Sequence, residues 1–300
     1  MRVLAIFGPT AVGKTGVAVA VSELLRERGE DPVAISCDAI QVYSGLEVLS
    51  GAASAGERRQ LEHRMLGIVT IGDEFSAGRF AQLAHREIDE LMEQGRRPIV
   101  VGGTGLYLRA ALSDLDLRPP VPDQVRRRVE EEMAANGPEA LHAELDPDVA
   151  ATIHPNDRKR IARSLELQRA GLEPPRVHKE GGNLWTAELR HPTLLVGLTI
   201  DGAELAARID ARVDSMVEGG ALEEVADADR AGASRTARAA IGFEELLAGD
   251  VEATKRAQRV YARRQLTWMR RMEDVEVIDR TGVSDGEVAG RILALLDESR

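Results

Sequence analysis

A chain of 300 residues, with 43% hydrophobic and 30% charged side chains, is long enough to bury a core as one large domain or two ordinary ones and is not intrinsically disordered. Its single cysteine excludes an internal disulfide framework and a cysteine-rich zinc site. The sequence has no signal-peptide pattern and no apolar run near the roughly 18 residues of a membrane span, so we expect a cytoplasmic protein without membrane contact. The net charge of −11 disfavours nucleic-acid binding except at local basic patches.

The first predicted strand, residues 2–7, leads into a glycine-rich loop and then into a helix over 14–28. The loop reads G-x-x-x-x-G-K-T and consists of Gly8, Pro9, Thr10, Ala11, Val12, Gly13, Lys14 and Thr15. A strand, this loop and a helix in this order form a P-loop, in which backbone N–H groups and a helix N-terminus cradle phosphate. We therefore expect a di- or triphosphate here, with Lys14 on its terminal phosphates and the Thr15 hydroxyl ligating Mg²⁺. The alternative is a chance match in an ordinary turn, which the flanking strand and helix disfavour.

The alternation of strand and helix continues to residue 113. Apolar runs predict further strands at 32–36, 66–71 and 98–102, and a 3.6-residue period predicts a helix at 77–94. This order is typical of a parallel sheet, so we expect an α/β fold with a P-loop parallel-sheet core and helices on both faces. Ligands of such sheets bind beyond the carboxyl ends of the strands.

Polar residues follow two of these strands, at the sheet edge where the P-loop is expected. Asp38 follows the second strand and is interpreted as a carboxylate aimed into the site, as magnesium ligand or general base, with a turn cap as the alternative. Gln41 suits a base edge and Tyr43 suits stacking, although each is also an ordinary structural residue. The turn at 102–105, which contains Thr104, is as consistent with relief of backbone crowding as with substrate binding.

The composition changes after residue 114. In order, the next segments are a proline-rich linker at 117–122, charged helices over 123–170 with a break at 136–138, a loop over 171–193 and a strand at 194–200. We therefore predict one catalytic core formed by 1–116 and 194–300, interrupted by a helical insertion domain at 117–193.

Beyond residue 200 the pattern is mostly helical. Helices are predicted at 202–218, 220–231, 243–248, 251–272 and 284–298, with a strand at 275–278. Arg208 and Arg212 are four residues apart on the first of these helices and share a face. Either Asp201, Asp210 and Asp214 neutralise them, or the face turns inward and the two arginines clamp a diphosphate.

Two basic stretches interrupt this acidic chain. One opens a helix at 154–163 and contains Arg158, Lys159, Arg160 and Arg163. In the other, seven basic residues lie between Lys255 and Met272 with no acidic residue among them. Each stretch is either a solvated helix face or a set of contacts to a phosphate backbone.

Seven segments, in order along residues 1–270, resemble the tRNA dimethylallyltransferase family, also called tRNA isopentenyltransferases. They are Gly8–Thr15, Asp38–Tyr43, Phe75-Ser76-Ala77 with Phe80, Gly102–Tyr107, His154–Arg163, Ala240–Glu244 and Arg264–Trp268. The resemblance implies that a dimethylallyl group moves from dimethylallyl diphosphate to N6 of the adenosine 3′-adjacent to the anticodon, in tRNAs that read codons starting with U, and that diphosphate is released. It also implies Mg²⁺ as cofactor, the tRNA anticodon stem-loop as partner, and a monomer.

The roles of site residues carry over from the family by position. The resemblance implies that the P-loop, from Gly8 to Thr15, holds the donor diphosphate. For this reaction we expect Lys14, Thr15 with its Mg²⁺, and either Arg208 or Arg212 to stabilise the leaving diphosphate, and Asp38 to orient or deprotonate the attacking amine. The resemblance further implies tRNA contacts from Asp38, Ala39, Ile40, Gln41, Thr104, Arg126, Lys159, Arg160, Ile161, Ala162 and Arg163. Ala39, Ala52 and Ser54 replace the Ser, Thr and Lys usual in the family, which predicts altered tRNA contacts or rate, not a different reaction.

Other functions share the same loop. An ATP-dependent kinase of a nucleotide or small molecule is the main alternative, and it would need arginines that close over a γ-phosphate. An adenylate isopentenyltransferase would use the same donor, but the insertion and the basic helix favour tRNA. A non-catalytic RNA-binding switch is disfavoured by Asp38 at the strand end.

Overall fold

The structure of the protein is a computed structural model that describes residues 1–115, 117–118, 120–173 and 188–298. The chain divides into two compact units, one formed by residues 1–114 with 186–300 and the other by residues 115–185. Among the described residues, no helix combines the length and apolarity that a membrane span requires.

The first unit is built on one parallel six-stranded sheet. Its strands are β1 (Val3–Phe7), β2 (Pro32–Ser36), β3 (Glu62–Arg64), β4 (Arg97–Gly102), β5 (Thr193–Thr199) and β6 (Val275–Asp279). Their order is β3-β2-β4-β1-β5-β6, so β1 lies between β4 and β5 and β6 is an edge strand. Every side chain of β1 and β2 is buried, and because strand side chains alternate between faces, both faces of the sheet are covered. The expected α/β core is confirmed.

Five helices precede the second unit. They are α1 (Lys14–Glu27), α2 (Glu47–Ser50), α3 (Ala55–Gln60), α4 (Ala77–Glu93) and α5 (Gly105–Leu112). The strand–helix order places the carboxyl ends of β1, β2 and β4 at one edge of the sheet, and the chain segments that follow these strands meet there.

One predicted strand, 66–71, is wrong. The third strand is β3, and residues 66–71 contribute only an isolated bridge between Tyr43 and Val69. Met65 and Gly67 have positive φ values of 64° and 61°, so the chain leaves the extended conformation at both positions. The sequence of β3 is polar and its side chains are partly exposed at the sheet edge, which is why an apolar pattern did not reveal it.

The described part of the second unit contains three helices: α6 (Asp123–His142), α7 (Pro147–Ala150) and α8 (Arg158–Arg169). The predicted break at 136–138 is confirmed, because Gly137 has φ 79° and ψ 172° inside α6 and Pro138 follows it. The core of this unit is formed by Val129, Met133, Leu141, Leu145, Ile153, Ile161 and Leu165. Most of the loop predicted at 171–193, namely 174–187, lies outside the described residues, as does Pro119 of the predicted linker.

The remaining helices return to the first unit. They are α9 (Gly202–Glu218), α10 (Ala221–Arg230), α11 (Arg235–Arg238), α12 (Phe243–Leu247), α13 (Val251–Met269) and α14 (Asp285–Glu298). α13 packs against α9, and α14 packs against α1. The second of these contacts buries an apolar stripe from each helix, which includes Val17, Val21, Leu25, Val288, Ile292 and Leu296.

Candidate active site

The P-loop connects β1 to α1. Gly13 is the N-cap of α1 and has a φ of 93°, a left-handed conformation that glycine adopts readily. Ala11 is also left-handed, with a φ of 63°. Among the residues that the structure describes, no side chain caps this end of α1, so its first N–H groups are available to an anion.

Lys14 is the first residue of α1, and its ammonium group lies inside the loop. Its Nζ donates to the carbonyls of Gly8 at 3.1 Å and Pro9 at 2.9 Å. Desolvation in the pocket and, less strongly, the positive charge of Arg212 lower the pKa of Lys14 to about 8, although the Asp38 carboxylate opposes both effects. The lysine is therefore held where its charge is costly without an anion nearby.

Replacing Lys14 with methionine is expected to stabilise the ligand-free protein by up to about 3 kcal/mol near neutral pH, because each unit of lowered lysine pKa corresponds to about 1.4 kcal/mol. The folded-state pKa of about 8 lies below the ordinary 10.5, so this gain is full below pH 8 and disappears as the pH rises towards 10.5. Denaturant unfolding of both proteins across that interval measures it. Arg26→Met, at an exposed cation of the same helix, is the control. A Lys14→Met difference that stays constant with pH would contradict the pKa shift.

Asp38 follows β2 and reaches two neighbouring segments. Its Oδ1 accepts from the amide of Ile40 at 2.9 Å, and its Oδ2 accepts from the Thr104 hydroxyl at 3.4 Å. Asp38 therefore has both of the roles that the sequence left as alternatives: it caps the turn, and its carboxylate faces the site. Ala39 and Ile40 line the same cavity as Asp38.

Both polar ends of the Gln41 side chain are engaged within the protein. Its Oε1 accepts from the Ser36 hydroxyl at 2.7 Å, and its Nε2 donates to the carbonyl of Gly51 at 3.2 Å. Gln41 therefore fixes the segment after β2, and a base edge would have to displace these contacts. Tyr43 is buried and lies 2.5 Å from the Thr236 hydroxyl, so it packs in the core and offers no ring for stacking.

Gln265 of α13 joins two of the loops at the sheet edge. Its Oε1 accepts from the amide of Thr10 at 2.8 Å, and its Nε2 donates to the carbonyl of Gly103 at 2.8 Å. One turn earlier, the Tyr261 hydroxyl lies 3.2 Å from the Thr104 hydroxyl, and burial raises the pKa of Tyr261 to about 12. The sequence analysis did not predict these contacts of Gln265 and Tyr261. The available signal was a glutamine on the buried face of a helix.

The structure separates the two candidate arginines of α9. Arg212 lines the cavity and donates from Nη2 to the carbonyl of Ser50 at 3.3 Å, and burial lowers its pKa. In the described part of the chain its buried Nε has no hydrogen-bond partner. Arg208 does not line the cavity, and its guanidinium pairs with Glu204 at 2.7 Å.

The three aspartates named from the sequence, Asp201, Asp210 and Asp214, do not neutralise these arginines, since the partner of Arg208 is Glu204. Asp201 caps α9 by accepting from its first amides. Asp214 pairs with Lys255 at 2.7 Å, and Asp210 pairs with Arg259, so both tie α9 to α13. The exposed basic residues of this stretch are Arg256, Arg263 and Arg264 of α13, together with Arg270 and Arg271 just after the helix.

A cavity of about 1080 Å³ opens at the carboxyl ends of β1, β2 and β4. Among the residues that line it are Lys14, Thr15, Asp38, Thr104, Arg212 and Gln265. Lys14, Arg212 and Asp38 thus face one space, which is wide enough for a small anionic ligand together with a second group. Other charged residues of the lining are Glu47, Glu57, Arg58 and Arg264.

In the second unit, α8 presents a basic first turn. Asp157 caps the helix by accepting from the Arg160 amide at 3.2 Å. Lys159 and Arg160 are exposed, whereas Ile161 is buried in the core of the unit, so its side chain is not available to a partner.

The other candidates for tRNA contact in this unit are half-buried. Ala162 follows Ile161 on α8. Arg163 pairs with Glu166 at 3.1 Å, and Arg126 lies 3.9 Å from Asp123 on α6. Lys159 and Arg160 are therefore the most accessible cations of the predicted set.

Comparison with known proteins identifies related sequences along nearly the whole chain. A family model described as IPP transferase matches residues 41–272. The tRNA dimethylallyltransferase of Anaeromyxobacter sp. strain Fw109-5 is 42% identical over 290 residues, which cover 92% of this chain and 94% of that protein. The tRNA dimethylallyltransferase of Acetivibrio thermocellus is 36% identical over 294 residues, which cover 93% and 92%.

Solved structures are similar as well. The full-length tRNA isopentenylpyrophosphate transferase from Bacillus halodurans superposes with a TM-score of 0.70 at 32% identity, covering 99% of this chain and 97% of that one. A eukaryotic dimethylallyltransferase, described as acting on tRNA, has a TM-score of 0.78 at 26% identity and covers 99% and 79%. The resemblance seen in the seven sequence segments is confirmed, and the chain belongs to the IPP transferase family.

Proposed function

We propose that this chain transfers a dimethylallyl group from dimethylallyl diphosphate to N6 of the adenosine 3′-adjacent to the tRNA anticodon, in tRNAs that read codons starting with U. The enzyme class follows from the family, whose relatives named above are tRNA dimethylallyltransferases. One observation carries the chemistry: Lys14, Arg212 and Asp38, two cations and one carboxylate, face the same cavity. The kinase alternative is not favoured, because these relatives bear the transferase name.

The two cations are suited to a departing anion. As the bond between the allylic carbon and oxygen breaks, its electron pair leaves with diphosphate and negative charge grows there. Fixed donors that stabilise this charge accelerate the reaction, since they interact more strongly with the transition state than with the ground state. In the proposal Lys14 leaves the carbonyls of Gly8 and Pro9 to meet the diphosphate, and the free Nε of Arg212 supplies a further donor.

Asp38 is assigned to the attacking amine. The N6 lone pair forms the new bond to the allylic carbon, and the proton that N6 loses passes to the Asp38 carboxylate. The Ile40 amide and the Thr104 hydroxyl hold that carboxylate in place. The adenine must leave its stack to reach the cavity, as bases do in other base-modifying enzymes.

Mg²⁺ belongs to the proposal as a cofactor of the donor. The Thr15 hydroxyl lines the cavity and would provide one of the oxygen ligands that Mg²⁺ prefers. Within the described ranges no group of three His, Cys, Asp or Glu side chains could hold a metal, so the diphosphate oxygens would complete the coordination. When bound, the ion would neutralise charge on the leaving diphosphate.

Contacts to the tRNA anticodon stem-loop are assigned to the insertion and to the exposed arginines of α13. An RNA helix is recognised by backbone and shape, which exposed cations such as Lys159 and Arg160 suit. All the residues invoked come from one chain, and we propose that the monomer is active.

The proposal is tested by incubating the protein with unmodified tRNA, Mg²⁺ and dimethylallyl diphosphate and analysing the nucleosides by mass spectrometry. A dimethylallyl group on the adenosine 3′ to the anticodon supports it. A parallel incubation with ATP detects phosphate transfer, and phosphorylation without prenylation would overturn the proposal in favour of a kinase. Free AMP as acceptor separates tRNA modification from prenylation of a nucleotide.

The double variant Lys159→Glu, Arg160→Glu reverses two charges on α8 and is expected to weaken tRNA binding. The magnitude of the slope of log K against log salt should fall by about one to two, because each lost phosphate contact lowers that slope by roughly 0.7–0.9. Filter binding across a salt series measures both quantities. The matched control is Arg127→Glu with Arg128→Glu, an equal charge change at exposed positions of the same unit. If both double variants shift the slope equally, the α8 residues make no specific contact.

A further inference from the structure

The last strand, β6, and the last helix, α14, bring two charged residues next to the P-loop. Arg280 directly follows β6, and its amide donates to the carbonyl of Thr199 at 3.0 Å, at the end of β5. Asp285 is the first residue of α14. The Ser284 hydroxyl accepts from the Glu287 amide at 3.3 Å, which caps this helix and fixes its start.

The Arg280 side chain lies directly behind the loop and is only 6% exposed. Its Nη1 donates to the carbonyl of Val12 at 2.9 Å and pairs with the Asp285 carboxylate at 2.9 Å. The fit is close, because a Cβ added to Gly13 would overlap Nη1 and a Cβ added to Gly16 would overlap the carboxylate. The pair therefore fills the space between α14 and the loop.

The contact with Val12 constrains the next amide. In a trans peptide the C=O and the following N–H point in opposite directions, so a bond that fixes the Val12 carbonyl also fixes the Gly13 N–H on the side away from Arg280. Gly13, with its φ of 93°, has little intrinsic resistance to a flip of this peptide, because glycine occupies both signs of φ readily.

We propose that Arg280, held by Asp285, is a positioning residue that keeps the Gly13 N–H of the P-loop turned towards the bound diphosphate. The proposal rests on the proposed function for the identity of the anion. The C-terminal strand and helix thereby act on the donor site without touching the donor. The effect is preorganisation: the loop amides point at the anion before it arrives, and binding does not have to order them.

The test uses inorganic diphosphate with Mg²⁺ as the probe, titrated calorimetrically into the full chain. Arg280→Met is expected to raise the Kd for diphosphate about tenfold, the usual effect of losing a hydrogen bond from a charged donor. Asp285→Asn is expected to shift it in the same direction by less. The KM for dimethylallyl diphosphate rises in parallel, while the Kd for tRNA does not change.

Arg28→Met is the matched control. Arg28 pairs with Asp297 at 3.0 Å, and this exposed ion pair joins α1 to α14 at their other ends. Its loss is expected to leave the diphosphate Kd unchanged. If Arg280→Met fails to fold, Asp285→Asn decides by itself.

A diphosphate Kd that stays at the wild-type value in the folded variants would overturn the positioning role, even if their unfolding midpoints fall. Absence of diphosphate binding by the wild-type chain would overturn the positioning role and the donor site together. Diphosphate binding without prenyl transfer would overturn only the proposed function.

Discussion

Replacing Lys14 with alanine is expected to lower kcat/KM for prenyl transfer by about a hundredfold to a thousandfold, the usual loss when one preorganised donor to a developing anion is removed. The side chain lies inside the P-loop, where its charge is poorly solvated and therefore interacts strongly with a diphosphate. The Kd for diphosphate should rise and the Kd for tRNA should stay the same. Steady-state kinetics with each substrate varied, and calorimetry with diphosphate, measure these values.

The control is Arg26→Ala, which removes an exposed cation from the same helix and leaves the P-loop unchanged. It should retain wild-type kinetics. Prenyl transfer at the wild-type rate by the Lys14→Ala variant would remove the lysine from the mechanism and would leave Arg212 as the main cation of the site.

Replacing Asp38 with asparagine is expected to lower kcat by about a hundredfold to ten-thousandfold, the range for loss of a positioned general base. Asparagine keeps the oxygen that accepts from the Ile40 amide, so the turn after β2 is preserved. The ability to take the N6 proton is lost, together with the weak acceptor contact to the Thr104 hydroxyl. Diphosphate affinity should change little, which distinguishes this variant from Lys14→Ala. Single-turnover prenylation with saturating tRNA isolates the chemical step.

Asp73→Asn is the matched control, because Asp73 is an exposed carboxylate that accepts from the Thr70 hydroxyl and does not line the cavity. It should transfer at the wild-type rate. Equal losses in the two variants would indicate a general effect of charge or stability, and full activity of Asp38→Asn would show that N6 loses its proton to another acceptor.

Most of the secondary structure could be predicted because it depends on local periodicity. The helix pattern at 202–218 corresponds to α9 at Gly202–Glu218, and the apolar run at 32–36 corresponds to β2. The strand predicted at 66–71 failed for a local reason, since the left-handed residues Met65, just before it, and Gly67, within it, interrupt the extended chain. The true strand β3 is polar, and its pairing with β2 makes it a strand.

The P-loop was predictable from sequence alone, because its chemistry belongs to one continuous segment of eight residues whose glycines permit the turn and whose lysine supplies the charge. The neighbours of that loop were not predictable in the same way. A helical period shows that Arg208 and Arg212 share a face, but only the packing of α9 decides which of them reaches the cavity.

The contacts that brace the loop come from residues far away along the chain. Gln265 meets Thr10 across 255 residues, and Arg280 meets Val12 across 268. Sequence by itself determined most of the local conformations, most of the order of strands and helices along the chain, and the phosphate-binding segment, because these depend on interactions between near neighbours. Only the tertiary structure decided which distant side chains hold that segment in shape, because hydrogen bonds between such residues leave no periodic trace in the sequence.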